Sequence, residues 1–357
     1  MITPRYMEKR GFELSSDYRY LTRSSKGDLK LDYVPNDQLI DQERYQILYK
    51  NYSNILTNLQ FSVYYHDISD TNYFNDFSNN LVSTSQTHLN RSASLRYDIN
   101  NWQFHAMVQD IKTVDESAPV SERPYERLPQ LTLTGDQDIK GTPLLFTMDA
   151  EFVDFTHDDD NTTTGSRLIV EPGLRLPLSG TYWFITPGVK FSHTQYNVGT
   201  QAENGESEDI EDRNLPVSSI DAGLFFERSM DNTYQQTLEP RLYYLHVPFE
   251  EQNNIPLFDT SNPDFSVAQL FRDNRFIGGD RIGDANQLTL ALTSRILKPD
   301  TGDEVLRASI GQIIYFDDRK VSLDGSIDDA SQSDVIAELD INWQRWKSKV
   351  DLQWETR

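Results

Sequence analysis

The feature that most constrains how this 357-residue chain can fold is an alternation of apolar and polar side chains, repeated in segments of about ten residues. Successive strand side chains point to opposite faces, so each segment makes a wall with one apolar and one polar surface. Leu288, Leu290 and Leu292 form one such row against Gln287, Thr289, Ala291 and Thr293. Leu59, Phe61, Val63 and Tyr65 repeat it, as do Phe146, Met148, Ala150 and Phe152, then Trp183, Ile185, Val189 and Phe191. Helical periodicity is nearly absent. Tight turns, such as those at Asn100-Asn101, Ser179-Gly180 and Asp231-Asn232, alternate with long polar loops, among them residues 67–85, 197–215 and 248–284.

Short turns on one rim and long loops on the other are the sequence signature of a membrane-spanning barrel, whereas a soluble sandwich has no reason to sort its loops this way. The expectation is an all-β, antiparallel transmembrane outer-membrane β-barrel. About 16 strands fit on this length, forming part of a larger barrel. No linker or composition break divides residues 1–357, so one continuous domain is expected.

Composition agrees with this class. Only 37% of residues are hydrophobic, and no apolar run approaches the roughly 18 residues of a membrane helix, while a barrel strand offers lipid only every second residue. A net charge of -23 argues against nucleic acid as a partner, since phosphate binding needs clustered cations. With no cysteine, the chain has neither disulfides nor thiolate metal sites of its own.

The alternation assigns faces. Leu288, Leu290, Leu292, Trp183, Ile185 and Phe191 are expected to meet lipid, and Glu171, Arg175, Glu239 and Arg241 a hydrated lumen, because Arg or Lys facing lipid at the midplane costs about 2–4 kcal/mol. By this reading Leu290→Arg is damaging and Thr289→Arg milder. Pro172, Pro187 and Pro240 fall inside strand patterns, where each deletes a ladder hydrogen bond; the glycines after Pro172 and Pro187 suggest bulges, the alternative being that the strands break there and are shorter.

The search for chemistry is mostly negative. Six dispersed histidines give no HExxH or paired ligand set, and His66-Asp67 and His157-Asp158 have no nucleophile close in sequence. No catalytic residue, metal ligand or cofactor is expected, and the acidic loops from His157 and Glu203 read as a solvated rim. The loop at residues 248–284 is the least generic segment: Phe271, Arg272, Asp273, Arg275, Phe276, Asp280 and Arg281 interleave aromatic and charged groups. Such a loop either forms a contact surface or satisfies its own charges.

Four runs carry a resemblance: LFRDNRFIGGDRIGDANQLTLALTSRIL at residues 270–297, YFNDFS at 73–78, TLEPRLYYLHVPFEEQ at 237–252 and RASIGQIIYF at 307–316. In this order they closely resemble the lipopolysaccharide-assembly outer-membrane proteins, the LptD family. The resemblance implies a barrel that receives lipopolysaccharide from a periplasmic bridge and inserts it into the outer leaflet. It also implies an LptE-type lipoprotein plugging the lumen, with the loop residues named above contributing to plug and lumen packing. The family's signal peptide and periplasmic jelly-roll domain are expected before Met1, and its closing strands and cysteines beyond Arg357, so the lateral exit is expected outside this chain. The reading that competes with lipopolysaccharide export is a general porin or ligand-gated outer-membrane uptake channel.

Overall fold

The computed structural model describes all residues except 79–84, 116, 118, 160, 200–211, 231–232, 344 and 356–357. The tight turn expected at residues 231–232 and most of the acidic loop from residue 203 lie outside the described residues. Among the described residues, nineteen strands form one antiparallel sheet, with short helical turns at Tyr73–Phe77, Val120–Glu122 and Val267–Phe271. Two of the nineteen, Leu178–Ser179 and Phe226–Ser229, are fragments that continue a neighbour past a break, which is why the segment count exceeds the sixteen or so read from periodicity.

The prolines explain these breaks. Pro187 and Pro240 lie within uninterrupted strands, Trp183–Gly199 and Gln235–Val247, paired with Ile220 and Leu292. The irregularity falls on the adjacent strand instead. Opposite Pro187 the chain leaves the ladder at Leu176 and Pro177, itself a proline, with Leu176 N–H still donating to Pro187 O at 2.9 Å; beside Pro240 it breaks at Phe225. A proline cannot donate to its neighbour, so the neighbour loosens where that donor is missing.

Contacts divide the chain into two compact units. The first comprises residues 1–135, 149–168 and 195–211. Its strands run in hairpin succession: Gln42–Leu56 pairs with Leu59–Ile68, which pairs with His88–Ile99, which pairs with Trp102–Thr113. One face of these strands shows exposed apolar side chains, including Phe104 and Val108. The other is covered at one end by the helix Tyr73–Phe77, whose Phe74 ring meets the His66 ring edge-on at 5.9 Å. Arg44 is 1% exposed there and holds Asp37, Asp70 and Asp76, with its guanidinium 4.8 Å from the Phe77 ring centre.

The second unit comprises residues 136–148, 169–194 and 212–357. Gln235–Val247, Ala285–Leu297 and Glu304–Tyr315 pair in sequence, with Leu242 opposite Leu290 and Leu290 opposite Gln312. Leu290 is 45% exposed and its neighbour Thr289 0%, so the alternation read from sequence is realised as an open apolar face and a covered one. What covers Thr289 is the chain between Val247 and Ala285, and the buried core between it and the strands comprises Leu215, Val217, Tyr243, Leu245, Val247, Ile282 and Ala285, with Phe271 packed against it.

Candidate functional site: a loop anchored on the covered face

Residues 248–284 lack regular structure apart from one helical turn, yet they are held by polar groups at several points. Asp280 is completely buried. Its Oδ2 accepts from Phe258 N–H at 2.8 Å, Asp259 N–H at 2.9 Å and the Thr260 hydroxyl at 3.2 Å, drawing the descending and ascending halves of the loop together. Gly278 sits at a φ of +80° where an added Cβ would stand 2.5 Å from Asp259 O, so glycine is required at this crossing.

Arg213 fastens the loop to the wall. It is 1% exposed and donates to Gln252 Oε1 at 2.9 Å, Asp280 O at 2.8 Å, Gly279 O at 2.9 Å and Thr194 Oγ1 at 2.9 Å. Gln252 closes the same junction, donating to Ile282 O and accepting from Ile282 N–H. Neither was singled out from the sequence, because Arg213 lies 67 residues from Asp280 and no local pattern links them.

Further along, Asp273 and Glu171 both pair with Lys190, at 2.7 and 2.8 Å. Burial alone would raise the Asp273 carboxyl, but the Lys190 ammonium outweighs it and holds Asp273 below its ordinary range. Arg241 makes a two-pronged pair with Asp221 at 2.8 and 2.7 Å, and its guanidinium lies 3.9 Å from the Phe271 ring centre. The Thr289 hydroxyl donates to Leu270 O at 2.7 Å, and a Cβ on Gly311 would meet Leu270 Cδ1 at 2.5 Å, so the helical turn rests directly on the wall.

The residues expected at this site therefore separate by role. Asp273 and Phe271 touch the wall. Arg272 donates to Phe276 O and Gln269, and Arg281 to Ile255 O, within the loop itself. Phe276 is buried beneath Arg275, which donates to Asp284 and to Val321 O; burial pulls Arg275 below the usual guanidinium range, with Asp284 opposing. Glu171, Arg175, Glu239 and Arg241 all fall on the loop-covered face; Glu239 pairs with Arg295 at 3.4 Å, and Arg175 is exposed. Leu290, Leu292 and Phe191 are exposed on the opposite face, where Leu288, Trp183 and Ile185 are half-buried.

The histidines weighed for catalysis have structural partners. His66 shares a hydrogen bond with Gln46 at 2.9 Å, and His157 bonds the Arg123 carbonyl and the Asp159 amide. Among the described residues, no group of three or more His, Cys, Asp or Glu is placed to hold a metal ion.

The family described as LPS transport system D, LptD, matches residues 42–357. The chain belongs to the LptD family. Among curated LptD relatives, each called LPS-assembly protein LptD, that of Aromatoleum aromaticum is 40% identical over 90% of this chain and 40% of its own length. That of Nitrosococcus oceani is 39% identical over 99% of this chain and 48% of its own, and that of an Azoarcus species 37% identical over 94% and 42%. The chain thus spans less than half the length of these LptD relatives.

Proposed function

We propose that this chain is membrane-embedded wall of an outer-membrane translocon that inserts lipopolysaccharide into the outer leaflet, as one part of an LptD-type protein. Its open apolar face meets the acyl chains, and the face beneath residues 248–284 lines a hydrated lumen. Family membership supports lipopolysaccharide as the cargo. The observation that carries the structural part is the pairing of exposed Leu290 with buried Thr289 on one strand, which makes the wall two-faced where the loop is bound. A hydrated lumen tolerates the ionic row Glu239, Arg295, Glu304 and Arg307, which would be costly against lipid.

In this reading the loop narrows the lumen and offers Phe271, Arg272, Asp273, Arg275, Phe276, Asp280 and Arg281 to an LptE-type plug lipoprotein, some by direct contact and the buried ones by holding the surface in place. Periplasmic bridge proteins would deliver the lipid through parts of the whole protein outside this chain. A photo-crosslinking residue at Arg272 in the full-length protein should capture the plug lipoprotein, and one at Leu290 should capture lipid. Capture of the plug from Leu290 and not from Arg272 would reverse the faces. Depletion of the whole protein should lower lipopolysaccharide at the cell surface; unchanged delivery would remove the proposed cargo.

A further inference from the structure

In the first unit a pocket of about 490 Å3 opens where the long loops after Ile68 and after Thr113 meet. That size falls within the roughly 300–1,000 Å3 of small-ligand sites. Its base is apolar, formed by buried Phe74 and Val114, which share a core with Ile68, Tyr73 and Leu89. The two loops are tied together at Thr87, whose carbonyl accepts from Val114 N–H at 2.8 Å and Asp115 N–H at 3.3 Å. Backbone bonds and a packed core therefore hold the pocket open.

Its walls carry carboxamides that the fold does not use. Asn72 precedes the helix Tyr73–Phe77, where an asparagine ordinarily accepts from the first helix amides, yet its side chain makes no capping bond. Asn75 lines the same space three residues on, from the same side of the helical turn. Gln86 Oε1 is buried and has no hydrogen-bond partner among the described residues, a state that costs free energy until a donor arrives. Among the described residues no lysine or arginine lines the pocket. Its one charge is Asp115, whose Oδ1 is fixed by the Ser117 amide at 2.9 Å and hydroxyl at 2.6 Å.

An anion would meet that carboxylate and find no cation to offset it. A carboxamide presents a donor and an acceptor side by side, which matches neighbouring hydroxyls, and the apolar base matches the C–H face of a sugar ring. We propose that this pocket binds an uncharged sugar unit. The saccharide of the lipopolysaccharide cargo is one source of such a sugar, and a neutral polysaccharide outside the cell is the other. Only the first source rests on the function proposed above.

The test is saturation-transfer NMR on the purified full-length protein. The probes are glucose, galactose, mannose, N-acetylglucosamine, phosphorylated glucose, dextran fragments, and lipopolysaccharide saccharide freed of lipid and phosphate. At least one neutral sugar should bind, and phosphorylated glucose should bind no better than glucose. Gln86→Leu and Asn72→Ala should each weaken the binding about fivefold, the worth of one neutral hydrogen bond, with heat-modifiable folded protein unchanged. Should Gln86→Leu not assemble, Asn72→Ala, at an exposed position, decides the matter. No binding by any neutral sugar, tighter binding of phosphorylated glucose than of glucose, or unchanged affinity in both variants would overturn the proposal. Binding of the lipopolysaccharide saccharide would make the cargo the source, and binding of dextran fragments without it would make another polymer the source of the same sugar chemistry. A failed cargo reading is recognised separately, by unchanged surface lipopolysaccharide on depletion.

Discussion

Replacing Asp280 with alanine removes one carboxylate and leaves three donors, Phe258 N–H, Asp259 N–H and the Thr260 hydroxyl, without the oxygen they share. Asp280 is 0% exposed, so water does not replace that oxygen without opening the loop. Hydrogen bonds to a charged acceptor contribute about 1.5–3 kcal/mol each, and a buried donor left unpaired costs about 1–3 kcal/mol. With relaxation, the local loss comes to about 3–6 kcal/mol. Amide hydrogen exchange in the full-length protein reads this directly: the amides of residues 258 and 259 should exchange at least about a hundredfold faster in Asp280→Ala. Asp280→Asn keeps one acceptor and should fall between. Strand amides in Ala285–Leu297 should change far less, because their ladder partners on both sides are intact. Unchanged exchange at 258 and 259, or equal acceleration throughout the strand, would refute the view that Asp280 pins the loop independently of the wall.

Arg44→Met should loosen the helix Tyr73–Phe77 by removing the guanidinium that joins Asp37, Asp70 and Asp76, although Arg10 still pairs with Asp37 and Asp76, at a cost of about 3 kcal/mol, seen as faster exchange over residues 70–77 with the strands retained. The Asp273–Lys190 contact is pH-dependent: Asp273 titrates below its unfolded value, so its contribution is complete above about pH 4 and is lost as pH falls through the lower folded value. Proteolysis of the loop should therefore be indifferent to pH between 5 and 7 and increase in more acid conditions, and Asp273→Asn should flatten that response. Leu290→Arg should reduce heat-modifiable folded protein by placing a charge in lipid, at about 2–4 kcal/mol if it lies near the midplane. Thr289→Arg should be damaging as well, by displacing Leu270; full assembly of the Thr289 variant would count against the packing described here.

That last pair shows where sequence reasoning reached and where it stopped. The alternation around Leu288, Leu290 and Leu292 is a local property of one strand, so an exposed Leu290 beside a Thr289 on the opposite face could be read from it. It could not reveal that a segment from before the same strand lies over Thr289, so the expectation that Thr289→Arg is the milder change took no account of the Leu270 contact. The loop was legible as unusual from its mixture of Arg, Asp and Phe. Its anchors were not, since Arg213 and Gln252 join positions 39 residues apart and Lys190 and Asp273 positions 83 apart. Pro187 and Pro240 were legible as disturbances, but the breaks lie on neighbouring strands, at Leu176-Pro177 and at Phe225, and Pro172 lies in an uninterrupted strand, Thr164–Arg175.

The central claim is that one strand separates lipid from water across its thickness. Chain 1–357 contains no cysteine, so Leu290→Cys and Ala291→Cys each add one spin-label position to it. With the full-length protein in a bilayer, the label at 290 should be relaxed chiefly by lipid-soluble oxygen and the label at 291 by a water-soluble nickel chelate. The same dominant relaxer at both positions would contradict the two-faced wall.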